Sequence, residues 1–330
     1  EYSYPGFYNF VDDLIDLNEG AAGEGTNYAI FELVKKYFAK KGNAWLEGGL
    51  AESFEGPSRN AEFRYLYIHQ IFDGQRLGAF NDSISHHNVC NYAYDDCIEF
   101  EHWSPSHPSI NLHVHDSLLM NAMGSAVSHQ DATGNMQGPH YVYRNVIYNT
   151  DFKHAHPTYL IKNRSLTASD KIIYHHNLLQ NWRGANAGWG QTNWLFWDNK
   201  KGTPEHLTFR NNIILFDQLT DKNDQPNPSS DHNILVNAND NPDVRGRGGQ
   251  YLGRDQAALL FNNHAALEFG LKQGSPAINA GAPLPEDWPD SRNIADTPDI
   301  GPFEYGEKPG PDWPRPRRTV FSTAKPDRWR

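Results

Sequence analysis

A short phrase of apolar residues that ends in asparagine returns four times between residues 84 and 181. It reads SHHNVCN, HVHDSLLMN, VYRNVIYN and IYHHNLLQN, and fainter copies follow as FRNNIILF and DHNILVN. The polar residue before the apolar pair recurs at spacings of 29, 28, 32, 35 and 21 residues, at Asn88, Ser117, Asn145, Asn177, Asn212 and Asn233. A unit of this size built from short strands cannot bury its apolar face alone and must stack on its neighbours. The repeat therefore predicts an all-β solenoid, a single-stranded parallel β-helix, with the asparagines forming a ladder at equivalent turns.

The phrase resembles the rungs of right-handed parallel β-helix proteins, in particular their HHN turns followed by apolar residues. A second resemblance lies in GSPAINAGAP at residues 274–283 and DIGPFEYG at residues 299–306. This pair is similar to the closing segment of extracellular bacterial β-helix proteins, many of which are polysaccharide lyases and glycoside hydrolases. The resemblance implies a right-handed β-helix of the carbohydrate-active type and a secreted, periplasmic or cell-surface location. It is specific for the fold and less so for the reaction, because fold does not imply function.

The repeat divides the chain into three parts. Residues 1–63 do not show it and are expected to form an N-terminal cap, with an amphipathic helix over about residues 28–41. Residues 64–306 are expected to form the β-helix, and FRYLYIHQIF at residues 63–72 is expected to begin its first rung as a strand. The Pro- and Arg-rich residues 307–330 are expected to form an extended C-terminal tail.

Composition excludes some classes of partner. The net charge is −11 and no cluster of Lys and Arg marks a nucleic-acid surface. Hydrophobic residues make up 38% of the chain, without an apolar run of about 18 residues that would span a membrane. The 16 His, 9 Trp and 16 Tyr residues favour a polysaccharide as the partner, because flat rings stack on sugar faces. Two cysteines, Cys90 and Cys97, are too few for a disulfide framework and are expected to be buried thiols.

Each strong repeat contains a second strand after its Asn turn, at residues 97–103, 125–131, 158–164 and 193–199. Alternation along these strands predicts that Glu101, His129 and Lys162 point outward, and equivalent positions of successive rungs lie about 4.8 Å apart. An acid, an imidazole and an ammonium are therefore expected in one column on one face. With Arg183 from the next rung, they are the candidate catalytic residues, in which Lys162 or Arg183 neutralises a carboxylate and His129 handles the proton.

These residue types fit β-elimination of a uronate-containing chain. The reaction needs a cation or metal to neutralise the carboxylate, a base to take the C5 proton, and a donor to protonate the leaving oxygen. The sequence is similar to alginate lyases and chondroitinase B, β-helix enzymes that use a Lys and an Arg beside carboxylate-bound Ca²⁺. The similarity rests on Glu99, Glu101, Lys162 and Arg183, but here the Lys lies two rungs after the Glu pair instead of on the same rung.

Carboxylates crowd the strand around residue 99. Asp95, Asp96 and Glu99 are candidate ligands for Ca²⁺, which prefers such hard oxygen ligands. A crowded carboxyl group can instead serve as a general acid, or the cluster can be a turn followed by a solvated strand face. Further side chains expected to bind substrate on the same face are Trp103, Asp131, His154, His156, Arg164, Trp182, Trp189 and Trp194.

Three classes of function remain open from the sequence. A polysaccharide lyase acting on an acidic glycan is favoured by the mixture of cations and aromatic residues. A glycoside hydrolase would use two of the carboxylates Asp95, Asp96, Glu99, Glu101 and Asp131. A non-catalytic glycan-binding β-helix is the third possibility.

Overall fold

The computed structural model describes sixteen stretches of the chain: residues 58–71, 73–78, 80–93, 96–102, 109–122, 124–131, 136–148, 159–164, 171–181, 194–198, 206–216, 218–220, 228–237, 240–263, 268–290 and 297–307. The expected helix at 28–41 lies outside the described residues, as does the expected C-terminal tail beyond residue 307. Residues 58–63, which were assigned to the cap, already contain strand.

Short strands dominate the described residues. In chain order they are β1 (Ser58–Arg59), β2 (Glu62–Arg64), β3 (Tyr67–Ile71), β4 (Gln75–Arg76), β5 (Phe80–His86), β6 (Val89–Ala93), β7 (Asp96–His102), β8 (Ile110–His115), β9 (Leu118–Met120), β10 (Ser125–Asp131), β11 (His140–Tyr143), β12 (Val146–Tyr148), β13 (Tyr159–Arg164), β14 (Ile172–His175), β15 (Leu178–Asn181), β16 (Trp194–Asp198), β17 (Leu207–Arg210), β18 (Ile213–Phe216), β19 (Gln218–Thr220), β20 (Ser229–Asp231), β21 (Ile234–Asn237), β22 (Gln250–Gly253), β23 (Phe261–Asn263) and β24 (Glu268–Leu271). The described helices are α1 (Pro242–Arg245) and a 3₁₀ helix (Arg254–Leu259).

Strands β1 to β22 form three parallel sheets that the chain visits in turn, whereas β23 and β24 form a separate antiparallel pair. Sheet 1 has the order β1-β5-β8-β11-β14-β17-β20, with β2 also paired to β5. Sheet 2 has the order β3-β6-β9-β12-β15-β18-β21-β22, and sheet 3 the order β4-β7-β10-β13-β16-β19. Each repeat thus gives one strand to each sheet before the next repeat stacks on it. This all-β arrangement of stacked parallel sheets is compatible with the β-helix predicted from the repeat.

The corner between sheet 1 and sheet 2 is the constant part of every repeat. Two residues separate the paired strands at each such corner, from β2 and β3 to β20 and β21. The first of the two has positive φ in all seven described corners: Tyr65, His87, Asp116, Arg144, His176, Asn211 and His232. The expected strand over residues 63–72 is therefore interrupted at Tyr65, whose φ of 57° turns the chain.

The second corner residue builds the predicted ladder. Asn145 N donates to Asn177 Oδ1 at 2.9 Å, and Asn177 N donates to Asn212 Oδ1 at 2.9 Å. The same contact joins Ser117 to Asn145 at 3.0 Å and Asn212 to Asn233 at 2.9 Å. The ladder is confirmed, with one correction: the left-handed backbone belongs to the residue before each ladder residue, and the ladder amides satisfy the backbone groups that the turn leaves open.

All three sheets contribute side chains to the main hydrophobic core. Sheet 2 contributes an inward column that includes Ile68, Cys90, Leu119, Ile147, Leu179, Ile214 and Leu235. The outer face of sheet 2 is also apolar, and the C-terminal segment covers it through Ala277, Ile300 and Phe303. No helix among the described residues is long and apolar enough to cross a membrane.

Candidate functional site

The register of sheet 3 corrects the expected column of Glu101, His129 and Lys162. Strand β10 pairs with β7 so that His129 lies beside Phe100, and with β13 so that His129 lies beside Asn163. Lys162 occupies the row of Ser128 instead. Glu101 lies one row further on, beside Gln130. The three residues therefore do not form one column, and the prediction was wrong in register.

His129 points into the core rather than toward the outer face. Its ring stacks on Phe100 with the centroids 5.1 Å apart, and a hydrogen bond of 2.5 Å joins Nε2 to the Tyr174 hydroxyl oxygen. The side chain is fully buried, and burial, with His140 nearby, holds the pKa of His129 well below its usual value. A neutral core imidazole explains this environment, because the charged form would lose its hydration without gaining a counter-ion.

A different row of charged residues lies on the outer face of sheet 3. Ile98 and Phe100 belong to the core, so Glu99 between them points outward. Glu99 is flanked in register by Arg76 on β4 and by Ser128 on β10, and Ser128 is followed by Lys162 on β13. Over these four neighbouring strands, the first and the last each contribute a cation to the row, Arg76 and Lys162.

Ion pairs anchor both cations. Arg76 Nε lies 2.6 Å from Glu99 Oε2, with 16% of the Arg76 side chain exposed. Lys162 Nζ donates to Asp96 Oδ2 at 2.5 Å, with 15% of the Lys162 side chain exposed and Asp96 fully buried. Asp96 Oδ1 also accepts from Ser125 N at 2.7 Å and from Ser125 Oγ at 2.6 Å. The ammonium of Lys162 and the guanidinium of Arg76 are thus held by ion pairs, while part of each side chain remains exposed to solvent.

Several of the predicted site residues lie outside the described part of the structure. Side chains are not described for three residues whose backbone lies in strands, Glu101, Arg164 and Trp194. A larger group lies outside the described residues: Asp95, Trp103, His154, His156, Trp182, Arg183 and Trp189. Asp131 is buried and accepts a hydrogen bond from Met136 N at 3.0 Å, so it ties the end of β10 to Met136.

The carboxylates Asp96 and Glu99 do not fit Ca²⁺ as they are arranged. Each is already paired with a cation of the chain, Lys162 or Arg76, and Ca²⁺ would have to displace that group. The third expected ligand, Asp95, lies outside the described residues. The calcium site therefore stays a prediction.

A column of stacked rings lies on the outer face of sheet 1. His86 stacks on His115 with centroids 5.0 Å apart, His115 on Tyr143 at 4.7 Å, and Tyr143 on His175 at 4.8 Å. Trp288 of the C-terminal segment then lies against His175 at 5.6 Å. The rings follow the strand spacing, so this column is a side-chain ladder that the repeat itself imposes.

A partly buried network of titratable groups lies beside this column, where β8 ends. Burial, with the neighbouring His115, lowers the pKa of His113 to about 4. Burial also lowers the pKa of His87 and of His115. Burial alone would raise the pKa of Asp116, but the hydrogen bond from His115 and the charge of Arg144 hold it below its usual value. These histidines are therefore neutral near pH 7.

His175, His176 and Asp290 bring three potential metal ligands within 4.8 Å of one another. Two contacts fix the amide of Asn211: its Oδ1 accepts from Ala282 N at 2.9 Å, and its Nδ2 donates to Ala282 O at 2.7 Å. That Nδ2 lies 3.1 Å from His176 Nε2, which must accept, so the proton of neutral His176 is on Nδ1. A protonated Nδ1 cannot bind a metal, and the group fits an anchor for the C-terminal segment instead.

Comparison of the chain with known proteins finds no match. No protein-family model matches the chain, no curated protein matches it, and no solved structure matches it. The function must therefore be argued from the site itself.

Sequence reasoning missed Arg76 and Ser128 as members of the outer row. Arg76 lies on a strand of two residues, too short to show alternation. Ser128 was missed because a strand that points His129 outward must point the neighbouring Ser128 inward. The signal that could have found Ser128 is the apolar pair Ala126 and Val127 near the start of β10, which shifts the alternation by one.

Proposed function

We propose that this protein is a polysaccharide lyase that cleaves an acidic, uronate-containing polysaccharide by β-elimination on the outer face of sheet 3. The observation that carries the proposal is the partly exposed cation Lys162, held on this face by the buried carboxylate of Asp96. The proposal includes a right-handed parallel β-helix of the carbohydrate-active type and a secreted, periplasmic or cell-surface location. Both are implied by the resemblance of the repeat.

Lys162 suits the role of neutralising the uronate carboxylate. Neutralisation makes the C5 proton acidic, because the enolate-like charge that develops is stabilised by a fixed cation. An ammonium that is ion-paired to Asp96 suits this role better than the role of base, since a base must first lose that proton. Arg76 offers a second cation three strands away, about 14 Å along the row, which suits a substrate with a carboxylate on more than one sugar.

We propose that the base and the proton donor are among the predicted residues that lie outside the described part of the chain. Arg183, His154 and His156 remain the candidates, because His129 is directed into the core. A glycoside hydrolase is a weaker alternative, because its general acid must hold a proton. Asp96 and Glu99 are each engaged by a cation instead.

The test uses purified protein and a panel of uronate polysaccharides. A lyase gives products that absorb ultraviolet light through the new C4–C5 double bond, whereas a hydrolase gives new reducing ends without that absorbance. A protein that retains the glycan without cleaving it would support the binding alternative. Either of the last two results contradicts the proposal.

Variants at Lys162 test its role. Lys162→Gln should lower kcat by about 10² or more, the usual share of a charge-stabilising donor. Lys162→Arg keeps the charge and should retain most of the activity if the residue neutralises a carboxylate, but not if it is the base. The matched control is Lys171→Gln, since Lys171 is exposed immediately before β14 of sheet 1 and its substitution should leave the rate unchanged.

A further inference from the structure

Cys90 and Cys97 lie on consecutive strands of one rung, β6 in sheet 2 and β7 in sheet 3. They are the two cysteines of the chain, and both belong to the main core, with 1% and 0% of their surface exposed. Cys90 occupies the inward column of sheet 2 between Ile68 and Leu119. The rung therefore directs one thiol from each of two sheets into the same interior.

Gly74 shows how closely the two residues approach. A Cβ atom added there would lie 2.9 Å from Cys90 Sγ and 2.2 Å from the carbonyl oxygen of Cys97. Cys97 Sγ in turn lies 3.8 Å from Met120 O, and Met120 is the strand partner of Asn91, the residue after Cys90. Both cysteines therefore converge on one corner of the core, beside a glycine that leaves room for them.

The neighbouring Cys97 also affects the titration of Cys90. Burial first, and then the Cys97 side chain, raises the pKa of Cys90 well above its usual value. Inside the folded core the Cys90 thiol is therefore protonated and slow to react, because the thiolate is the reactive form. Covalent chemistry at this pair belongs to the stage of folding before the core closes.

We propose that Cys90 and Cys97 are a site of covalent modification, an intrachain disulfide that ties sheet 2 to sheet 3 within one rung. The oxidant is a low-molecular-weight disulfide such as oxidised glutathione. One cysteine thiolate attacks it and forms a mixed disulfide, releasing one glutathione thiolate. The other cysteine thiolate then attacks the protein sulfur of that mixed disulfide and releases the second. Two electrons pass from the cysteines to the oxidant, one S–S bond forms in the protein, and the two cysteine protons go to solvent and to glutathione.

The experiment refolds the full chain from denaturant into a mixture of reduced and oxidised glutathione. The product is then unfolded in the presence of N-ethylmaleimide and weighed intact. The expected mass carries no label and is two hydrogens lighter than the reduced chain, and a peptide map joins the peptides of Cys90 and Cys97. Two labels, glutathione adducts or a disulfide-linked dimer would each overturn the proposal.

Thermal unfolding gives a second readout that does not depend on labelling. A reductant should lower the Tm of the oxidised protein by about 5 °C, the effect expected for closing a short loop in a chain of this length. Cys97→Ala should melt at the same temperature with and without reductant and should take up one label after unfolding. If this variant does not fold, the mass of the unaltered chain still decides the question. An oxidised protein whose Tm ignores reductant contradicts the stabilising tie.

Discussion

Lys162 Nζ lies 2.5 Å from Asp96 Oδ2, although the two residues are 66 positions apart and belong to strands that do not pair with each other. Strand β10 lies between their strands, so the lysine side chain reaches across a whole rung. The contact joins a buried carboxylate to a cation at the edge of solvent. It therefore couples the stability of sheet 3 to the group proposed to bind substrate.

We expect Lys162→Gln and Asp96→Asn each to lower the free energy of unfolding by about 2 to 4 kcal/mol, because each leaves a partly or fully buried charge without its partner. The double variant should lose less than the sum, with a coupling free energy of about 1 to 3 kcal/mol. Urea denaturation of the four proteins measures this directly. Strict additivity would show that the ion pair contributes nothing.

Removal of one ladder amide should be costly. Asn177 Oδ1 accepts from Asn145 N, and Asn177 Nδ2 donates to Val142 O at 2.8 Å. Asn177→Ala leaves both backbone groups buried without that partner, so we expect a loss of about 2 to 4 kcal/mol. The control is Asn262→Ala at an exposed position, which should change stability by less than about 0.5 kcal/mol. Equal denaturation midpoints for the two variants would argue against the ladder as a source of stability.

His129→Ala should destabilise the protein rather than act on its chemistry. The substitution opens a cavity beside Phe100 and leaves the Tyr174 hydroxyl without its hydrogen bond, so we expect a loss of about 3 kcal/mol. Below the melting temperature, kcat on any substrate that the protein cleaves should stay within a few-fold of the unaltered protein. A variant with normal stability and a rate about 10² lower would instead place His129 in catalysis.

The half-buried His113 should make stability fall in mild acid. Its folded pKa of about 4 lies below the usual 6.5, so the unfolded chain takes up the proton first as the pH falls. The stabilising effect is intact above pH 6.5 and is lost progressively toward pH 4. The neighbouring charges that shift this titration are those of His115 and Asp82.

His113→Gln removes this proton uptake. Between pH 7 and pH 4.5 the unaltered protein should lose about 2 kcal/mol more than the variant, which is the amount that a shift of this size implies. Urea denaturation at the two pH values provides the measurement, and NMR titration of the His113 ring provides the folded pKa. An NMR pKa near 6.5 would refute the prediction.

The sequence was sufficient for those parts of the fold that each repeat determines locally. The corner needs a turn residue followed by a polar side chain, so the spacing of Asn145, Asn177 and Asn212 was enough to predict the ladder. The second strands also lie within one or two residues of their predicted bounds, for example β10 at Ser125–Asp131. A structural requirement that recurs in every repeat can therefore be recognised from a single sequence.

The register between neighbouring strands of sheet 3 could not be predicted in the same way. Near the start of β7, β10 and β13 the core takes two consecutive residues, such as Cys97 with Ile98, and this pair shifts the alternation that follows. The connections before these strands differ in length, so they give no independent count. Contacts such as that of Asp290 with Arg144 join the C-terminal segment to a distant repeat, and no local sequence pattern predicts them.

The two-residue corner divides the molecule into a part that must keep its length and a part that need not. An added residue at His87 or His176 would displace every ladder amide above it, whereas the repeats already tolerate spacings from 21 to 35 residues through their other connections. We therefore expect insertions to fall in the connections that border sheet 3. The constant length of the corner keeps successive repeats in register, so whole repeats can be gained or lost and the face that carries Lys162 can vary.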